Sequence, residues 1–230
     1  MNKTILAIDT ATEACSAALL HNGETNAVFE ICPQQHSQKI LQFIEELLNA
    51  AQLKPAQLDA IAYGRGPGSF TGVRIAASTV QGLSFAHDIP VVGISTLATM
   101  AYENFIEYQQ VSSLAMIDAR MQEAYFAHIK CQPKGVVEDV LGEHVLPPDK
   151  LPLQLNAFLN DQLVGTGIVA YQDKLEIKNL PLRPEILYPN AKYMLPLAQN
   201  ALVVGTYGTA KDVSPTYVRD RVTWKKLPGK

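Results

Sequence analysis

The segment from Gly64 to Arg74, Gly-Arg-Gly-Pro-Gly-Ser-Phe-Thr-Gly-Val-Arg, restricts the backbone more than any other stretch of this chain. It lies between an apolar run, Leu58 to Tyr63, and a helix predicted from Thr71 to His87. Glycine permits positive φ and close backbone approach, and proline fixes its own φ. The segment therefore predicts a tight strand-to-helix turn. Its candidate site residues are Gly64, Arg65, Gly66, Pro67, Gly68, Ser69, Thr71, Gly72 and Arg74.

Two interpretations of this glycine-rich turn remain open. Free N–H groups at the start of a helix attract anions, so the turn could cradle a phosphate. The turn could also serve only to reverse the chain, because it matches neither the P-loop nor the dinucleotide fingerprint, and we favour this structural role. Ser69 and Thr71 are predicted to cap the helix. Ser69 follows Gly68 directly, so the segment is not a Gly-x-Ser-x-Gly nucleophile elbow.

The residues before and after the turn predict a first lobe with a hairpin-rich opening. Three strands precede a helix whose apolar residues Ile40, Leu41, Ile44, Leu47, Leu48 and Ala51 recur with a helical period. The helix that follows the turn is rich in small residues, which suit either packing on its own sheet or contact with a partner. The predicted elements are strands at Thr4 to Asp9, Cys15 to Leu20, Asn26 to Ile31, Leu58 to Tyr63 and Val91 to Ile94, and helices at His36 to Leu53, Thr71 to His87 and Ser95 to Phe105.

A second lobe begins near Leu114 and repeats this opening. Its first strand ends at Asp118, in the position that Asp9 holds in the first lobe. The predicted elements are strands at Leu114 to Asp118 and Ala124 to Lys130, a strand and Gly turn at Leu163 to Gly167, and a helix at Lys192 to Gly205 that packs back at the lobe junction. We expect lobes at 1–108 and 109–210 and a tail at 211–230.

Two segments of the second half are expected to lack regular structure. Pro133 to Pro152 contains four prolines, which predicts an irregular connection with at most an edge strand. The tail from Lys211, which includes Trp224, Lys225 and Lys226, is expected to be a surface extension.

Composition limits the function. A net charge of −3 argues against an extensive basic surface for nucleic acid. The three cysteines, Cys15, Cys32 and Cys131, are too widely spaced for a CxxC metal or redox motif, and their odd number does not indicate a disulfide framework. The sequence shows no signal peptide and no membrane-spanning run, so we expect a cytoplasmic protein with no membrane contact.

The order of elements is that of an α/β protein with two ribonuclease-H-like lobes, the unit duplicated in the actin, Hsp70 and sugar-kinase (ASKHA) superfamily. The segments Ile8 to Thr12 and Gly64 to Ile75 also closely resemble the TsaB (YeaZ) family, which takes part in making threonylcarbamoyladenosine in tRNA. The resemblance extends to Asp118-Ala119-Arg120, Glu123-Ala124-Tyr125, Gly165-Thr166-Gly167 with Tyr171, and Pro215-Thr216-Tyr217-Val218-Arg219.

This resemblance implies a non-catalytic scaffold. It implies a heterodimer with the catalytic paralogue TsaD, support for recruitment of the ATPase TsaE, a homodimer when the protein is alone, and contact with tRNA only through the complex. It implies no cofactor of its own and leaves open whether ATP or ADP binds at the partner interface. The contact residues expected on the first two helices are Ile40, Ile44, Leu48, Ile75, Thr79, Gly82 and Leu83.

The resemblance also implies a vestigial nucleotide cleft. Asp9 is followed by Thr10-Ala11-Thr12 without a glycine, so phosphate oxygens could not approach the backbone closely. We therefore interpret Asp9 as a solvated carboxylate or a structural acceptor. The cleft residues are Asp9, Thr10, Thr12, Asp118, Gly165 and Gly167.

Metal binding is not expected. TsaD carries a His-x-x-x-His iron site on its first helix, whereas His36 is followed by Ile40, which leaves a surface or helix-start histidine. The alternative function is a hydrolase, a peptidase or an ATP-dependent enzyme that uses the inter-lobe cleft and Asp9, Ser69, Asp118 or Gly165.

Overall fold

The first half of the chain forms a mixed five-stranded sheet in the order β3-β2-β1-β4-β5. The computed structural model describes residues 3–150, 161–175 and 181–219. β1, β2 and β3 form an antiparallel meander, while β4 and β5 continue the sheet in parallel with β1. The predicted strands of the first lobe are confirmed. Their bounds are β1 Ile5–Asp9, β2 Ala14–His21, β3 Glu24–Ile31, β4 Ala60–Gly66 and β5 Val91–Ser95.

Helices α1 (His36–Ala50) and α2 (Phe70–His87) pack against one face of this sheet, and α3 (Thr96–Tyr108) packs against the other. α1 buries Ile40, Phe43, Ile44, Leu47 and Leu48, whose spacing follows the 3.6-residue period. Leu41, which was predicted on the same side, is instead exposed.

The second half of the chain forms another five-stranded sheet, in which β10, β6, β7 and β8 are neighbours and β9 also pairs with β7. Its helices are α4 (Thr166–Tyr171) and α5 (Met194–Val204). The strands are β6 Ser112–Asp118, β7 Ala124–Gln132, β8 Val136–Asp139, β9 His144–Leu146 and β10 Gln162–Val164. The prediction of at most one edge strand after Pro133 was wrong, because β8 and β9 lie end to end along β7.

One apolar core joins the two sheets. It combines Ala7 and Val92 of the first sheet with Ile117 and Ile129 of the second. α3 and α5 contribute Leu97, Met100, Leu195, Leu197 and Ala198 to the same core. No helix in the described part of the chain is long and apolar enough to cross a membrane.

Candidate partner surface and inter-sheet cleft

The two sheets begin with hairpins whose first strands end in the same kind of turn. Oδ1 of Asp9, at the end of β1, accepts a hydrogen bond from the Ala11 N–H at 2.8 Å. Oδ1 of Asp118, at the end of β6, accepts one from the Arg120 N–H at 2.9 Å. Each aspartate therefore fixes the backbone two residues ahead of it.

Asp9 is enclosed on all sides and is 0% exposed. Gly64 lies directly against it, since a Cβ added at Gly64 would be 1.8 Å from Oδ2 of Asp9. That oxygen has no hydrogen-bond partner among the described residues. Burial raises the pKa of Asp9 to about 7, and the bond from Ala11 only partly opposes this. Asp9 is thus a structural acceptor, and the prediction of a solvated carboxylate was wrong.

The glycine-rich turn packs on the turn that follows Asp9. A Cβ at Gly68 would lie 2.3 Å from the Ala11 carbonyl oxygen, and one at Gly72 would lie 2.0 Å from that of Thr10. The Ser69 N–H donates to the Ala11 carbonyl at 2.7 Å, and the Thr10 hydroxyl donates to the Gly72 carbonyl at 2.7 Å. The glycines are therefore needed for contact between two backbone segments, which favours the structural role of this turn.

The remaining turn residues have separate roles. Ser69 caps α2, because its Oγ accepts from the Gly72 N–H at 3.4 Å, whereas Thr71 is exposed and does not occupy the N-cap position. Gly66 has a φ of +100°, which favours glycine, and is followed by Pro67. Arg65 forms a bidentate ion pair with Glu143 at 2.9 and 3.1 Å.

Asp118 has a more open environment than Asp9. Its Oδ1 accepts from the Tyr171 hydroxyl at 2.7 Å, and its Oδ2 pairs with Arg120 Nη1 at 3.0 Å. Arg120 also reaches Glu13 of the first hairpin at 2.7 Å. Gly165 and Gly167 pack closely against β6. A Cβ at Gly165 would lie 2.0 Å from the Met116 carbonyl oxygen, and one at Gly167 would lie 3.0 Å from the Met116 Cβ.

A cleft of about 880 Å³ opens between the two sheets. Of the predicted cleft residues, Thr12 and Asp118 line it, together with Gly68, Ser69 and Arg74 of the glycine-rich turn. Asp9, Thr10, Gly165 and Gly167 are not among its lining residues. The other lining residues are Ala11, Glu13, Pro33, Gln34, His36, Phe70, Ile117, Ala119, Arg120, Tyr125, Thr216, Tyr217 and Arg219.

His36 is the first residue of α1, as predicted, but it is buried rather than on the surface. No group of three or more His, Cys, Asp or Glu side chains suited to a metal occurs among the described residues.

The outer face of α1 and α2 differs from the predicted contact set. Ile40, Ile44 and Leu48 are buried against the chain's own sheet, so the assignment of these three to a partner interface was wrong. The apolar side of an amphipathic helix packs on its own core. On α2, the predicted residues Ile75, Thr79 and Leu83 are half-buried, and Gly82 is exposed.

Large apolar side chains project from this face. Phe85 of α2 is 78% exposed, and Leu41 of α1 is 57% exposed. A Cβ at Gly82 would meet no atom within 4 Å, so the helix backbone is open to close approach there. The two helices contact one another on the sheet, so they form one surface.

Comparisons with known proteins find relatives that cover nearly the whole chain. A family model described as "TsaD: tRNA N6-adenosine threonylcarbamoyltransferase" matches residues 21–179. A relative from Escherichia coli (strain K12), named tRNA threonylcarbamoyladenosine biosynthesis protein TsaB, is 42% identical over 228 residues, which cover 98% of this chain and 99% of the relative. This chain belongs to the TsaB (YeaZ) family.

Further members of the TsaB family agree with this assignment. A Haemophilus influenzae protein of the same name is 42% identical over 238 residues, covering 100% of this chain and 99% of the relative. The solved structure "YeaZ from Pseudomonas aeruginosa" is 39% identical, covers 94% of this chain and 99% of that one, and has a TM-score of 0.87. The predicted family and the predicted two-lobed α/β fold are confirmed.

Sequence reasoning missed several residues of the cleft and two ion pairs between distant segments. It did not predict the pairs between Arg120 and Glu13 or between Arg65 and Glu143, which join distant parts of the sequence. The TsaB-like motifs drew attention to Tyr171 and to Pro215-Thr216-Tyr217-Val218-Arg219 but gave them no role. Residues 211–219 were expected to form a surface extension, yet Thr216, Tyr217 and Arg219 line the cleft. Trp224, Lys225 and Lys226 lie outside the described residues.

Proposed function

We propose that this chain is a non-catalytic scaffold in the synthesis of threonylcarbamoyladenosine in tRNA. It pairs with the catalytic paralogue TsaD, supports recruitment of TsaE, and meets tRNA only through that complex. The observation that carries the proposal is the outer face of α1 and α2, where Leu41 and Phe85 are exposed and the α2 backbone is open at Gly82.

The names of the relatives support the pathway. Proteins that are 42% identical over nearly all of this chain are named for tRNA threonylcarbamoyladenosine biosynthesis. The structure of the first hairpin supports a role other than catalysis. Asp9 is sealed beneath Gly64, so its carboxylate does not reach a substrate, and the Ser69 hydroxyl accepts the N-cap hydrogen bond of α2.

The outer face has the chemistry of a helix-packing interface. Burial of a side chain such as Phe or Leu contributes roughly 1.5–3 kcal/mol, so Phe85 and Leu41 would be the main apolar anchors. Gly82 would allow a partner helix to approach the α2 backbone closely. Ser78 is exposed one turn before it, and Ile75, Thr79 and Leu83 flank the contact.

The same surface would serve both kinds of dimer. A homodimer that uses this face competes with the heterodimer, because one helix pair cannot bind two partners at once. We assign the chain no cofactor of its own. ATP or ADP, if present, would lie at the boundary with the partner.

The pairing surface is tested by Gly82→Arg. This side chain enters open space in the monomer, so the variant should fold with an unchanged or higher thermal midpoint. It should lose co-purification with TsaD, because the long cation occupies the approach path of the partner helix. Gln172→Arg adds the same charge at an exposed position after α4 and should keep pairing. A folded Gly82→Arg variant that still binds TsaD would contradict the proposed surface.

The alternative is an enzyme that uses the inter-sheet cleft. Its support is the cleft of about 880 Å³, which is lined by Glu13, His36 and Asp118. Against it, Asp118 is engaged with Tyr171 and Arg120, and Asp9 does not line the cleft.

A further inference from the structure

Residues 214–219 cross from one sheet to the other. Residues 214–217 contact the first sheet and the start of α2, and Arg219 contacts the β6–β7 hairpin of the second. We infer that residues 214–219 act as a strap that holds the two sheets in one fixed relation and keeps the cleft from opening.

One end of the strap is bound to β4 and the glycine-rich turn. The Ser214 N–H donates to the Tyr63 hydroxyl at 3.1 Å, and the Thr216 N–H donates to the Arg65 carbonyl at 2.7 Å. Arg65 Nη1 donates to the Thr216 hydroxyl at 2.8 Å. Two backbone N–H groups of the strap thus donate to β4, one to a side-chain hydroxyl and one to a carbonyl, which a loosely placed tail would not do.

The middle of the strap is fixed by a cluster of Arg74, Phe70 and Tyr217 at the start of α2. The Arg74 guanidinium lies 3.4 Å from the centroid of the Phe70 ring and donates from Nε to the Tyr217 hydroxyl at 2.7 Å. The centroids of the Phe70 and Tyr217 rings are 5.9 Å apart, and the two rings are tilted by 39°. Cation–π and aromatic contacts of this kind contribute favourably even at partly exposed sites.

The other end of the strap is bound to the second sheet. Arg219 Nη2 donates to Glu123 Oε2 at 2.6 Å and to the Ala119 carbonyl at 3.1 Å. Its side chain is only 17% exposed. The other ion pair across the cleft mouth, Arg120 with Glu13, involves an arginine that is 73% exposed, so solvent screens it more strongly.

The strap also supports a link deeper between the sheets. Arg65 donates two hydrogen bonds to Glu143, which accepts a third from the Ser95 hydroxyl. Arg65 Nη1 donates to both Glu143 and Thr216. Loss of the strap would therefore leave the Arg65 guanidinium with one hydrogen-bond partner fewer. The shared core would then act as the base of a hinge, and the cleft mouth would be held mainly by the exposed Arg120–Glu13 pair.

The test uses the whole chain without TsaD, and doubly labelled chains are diluted into excess unlabelled chain, so that a homodimer adds no distance between labels on different copies. Spin labels are placed at Gln42→Cys on α1 and Gln172→Cys after α4, both exposed, while the native Cys15, Cys32 and Cys131 are buried. The distance distribution between the labels is compared for the full chain, a chain ending at Arg219 and a chain ending at Val213.

The full chain and the chain ending at Arg219 should give one narrow distance, and the chain ending at Val213 should lose it. A chain ending at Val213 that keeps the narrow distance would overturn the inference. Equal broadening in the chain ending at Arg219 would overturn it too, because residues 214–219 remain there.

Arg219→Ala tests the strap if the shorter chain does not fold. This variant should broaden the distance distribution. Lys39→Ala removes the ion pair between α1 and Glu30 of β3, which lies within the first half of the chain, and should leave the distribution unchanged. An unchanged distribution in folded Arg219→Ala, together with failure of the chain ending at Val213 to fold, would assign these residues a purely structural part in folding and reject the strap.

Discussion

The β1–β2 and β6–β7 hairpins begin with the same aspartate turn but place it in opposite surroundings. Asp9 is sealed by Gly64 and the glycine-rich turn, whereas Asp118 faces the cleft and bonds to Tyr171 and Arg120. The repeated turn geometry therefore does not bring with it a repeated chemical environment. In the first sheet, backbone packing fills the space in which a ligand would have to approach the carboxylate.

The largest expected difference between the two hairpins is in the pH dependence of stability. Burial raises the pKa of Asp9 from its ordinary value of 3.8 to about 7, so the folded state binds this proton more tightly than the unfolded state. The contribution of protonated Asp9 to the free energy of unfolding is complete below about pH 4, and it is lost as the pH rises to about 7. Asp9→Asn should remove this loss, which is on the order of 4 kcal/mol at 1.36 kcal/mol per pKa unit.

The measurement is urea unfolding at a series of pH values. Burial, with the nearby charge of Glu107, also raises the pKa of Glu103, to about 8, so some loss of stability up to that pH should persist in Asp9→Asn. Asp118→Asn is the control and should leave the Asp9-dependent fall in place. Equal pH profiles for the native chain and Asp9→Asn would show that the two aspartates do not differ as described.

The next largest effect on stability concerns the packing of the glycine-rich turn on the first hairpin. Two glycines of α2 test it. Gly72→Ala puts a Cβ 2.0 Å from the Thr10 carbonyl oxygen, so it should destabilise the fold by about 3 kcal/mol. Gly82→Ala meets no atom within 4 Å and should stabilise α2 by roughly 0.5–1 kcal/mol. Thermal and urea unfolding of both variants measure this contrast. Equal effects at the two positions would mean that the glycine-rich turn does not pack on the first hairpin.

The smallest expected effect is that of added ATP on the isolated chain. A nucleotide bridging both hairpins would need Asp9 and Asp118 to face one site, and only Asp118 lines the cleft. We expect no thermal shift on ATP titration. A ligand present at a hundredfold excess over its Kd would stabilise the chain by about 2.7 kcal/mol, so such a shift would favour the enzyme alternative.

The sequence predicted the elements with strong periodicity. α1 follows from its 3.6-residue apolar period, and the strands of the opening meander and of the β6–β7 hairpin follow from short apolar runs, which are local properties. The Ser69 cap followed from the residue type and its place before a helix. Val136 and Val137, two β-branched residues, could have indicated β8, but the prolines around them favoured an irregular segment.

The sequence could not predict features that depend on tertiary contacts. The apolar pattern of α1 does not distinguish a face that packs on the sheet from a face that binds a partner. In the structure, Ile40, Ile44 and Leu48 face the sheet. Burial of Asp9 depends on Gly64, which is distant in sequence. The bond between Arg65 and Thr216 spans a still larger separation, so local patterns carried no signal for the position of the tail.

The most direct test of a scaffold without catalytic carboxylates is to measure threonylcarbamoyladenosine in tRNA from a bacterial strain depleted of its own TsaB and supplied with variants of this chain. The double variant Asp9→Asn/Asp118→Asn should restore the modified nucleoside to the level given by the native chain, and Gly82→Arg should not. Loss of the modification in the folded double variant, with full restoration by Gly82→Arg, would contradict the account.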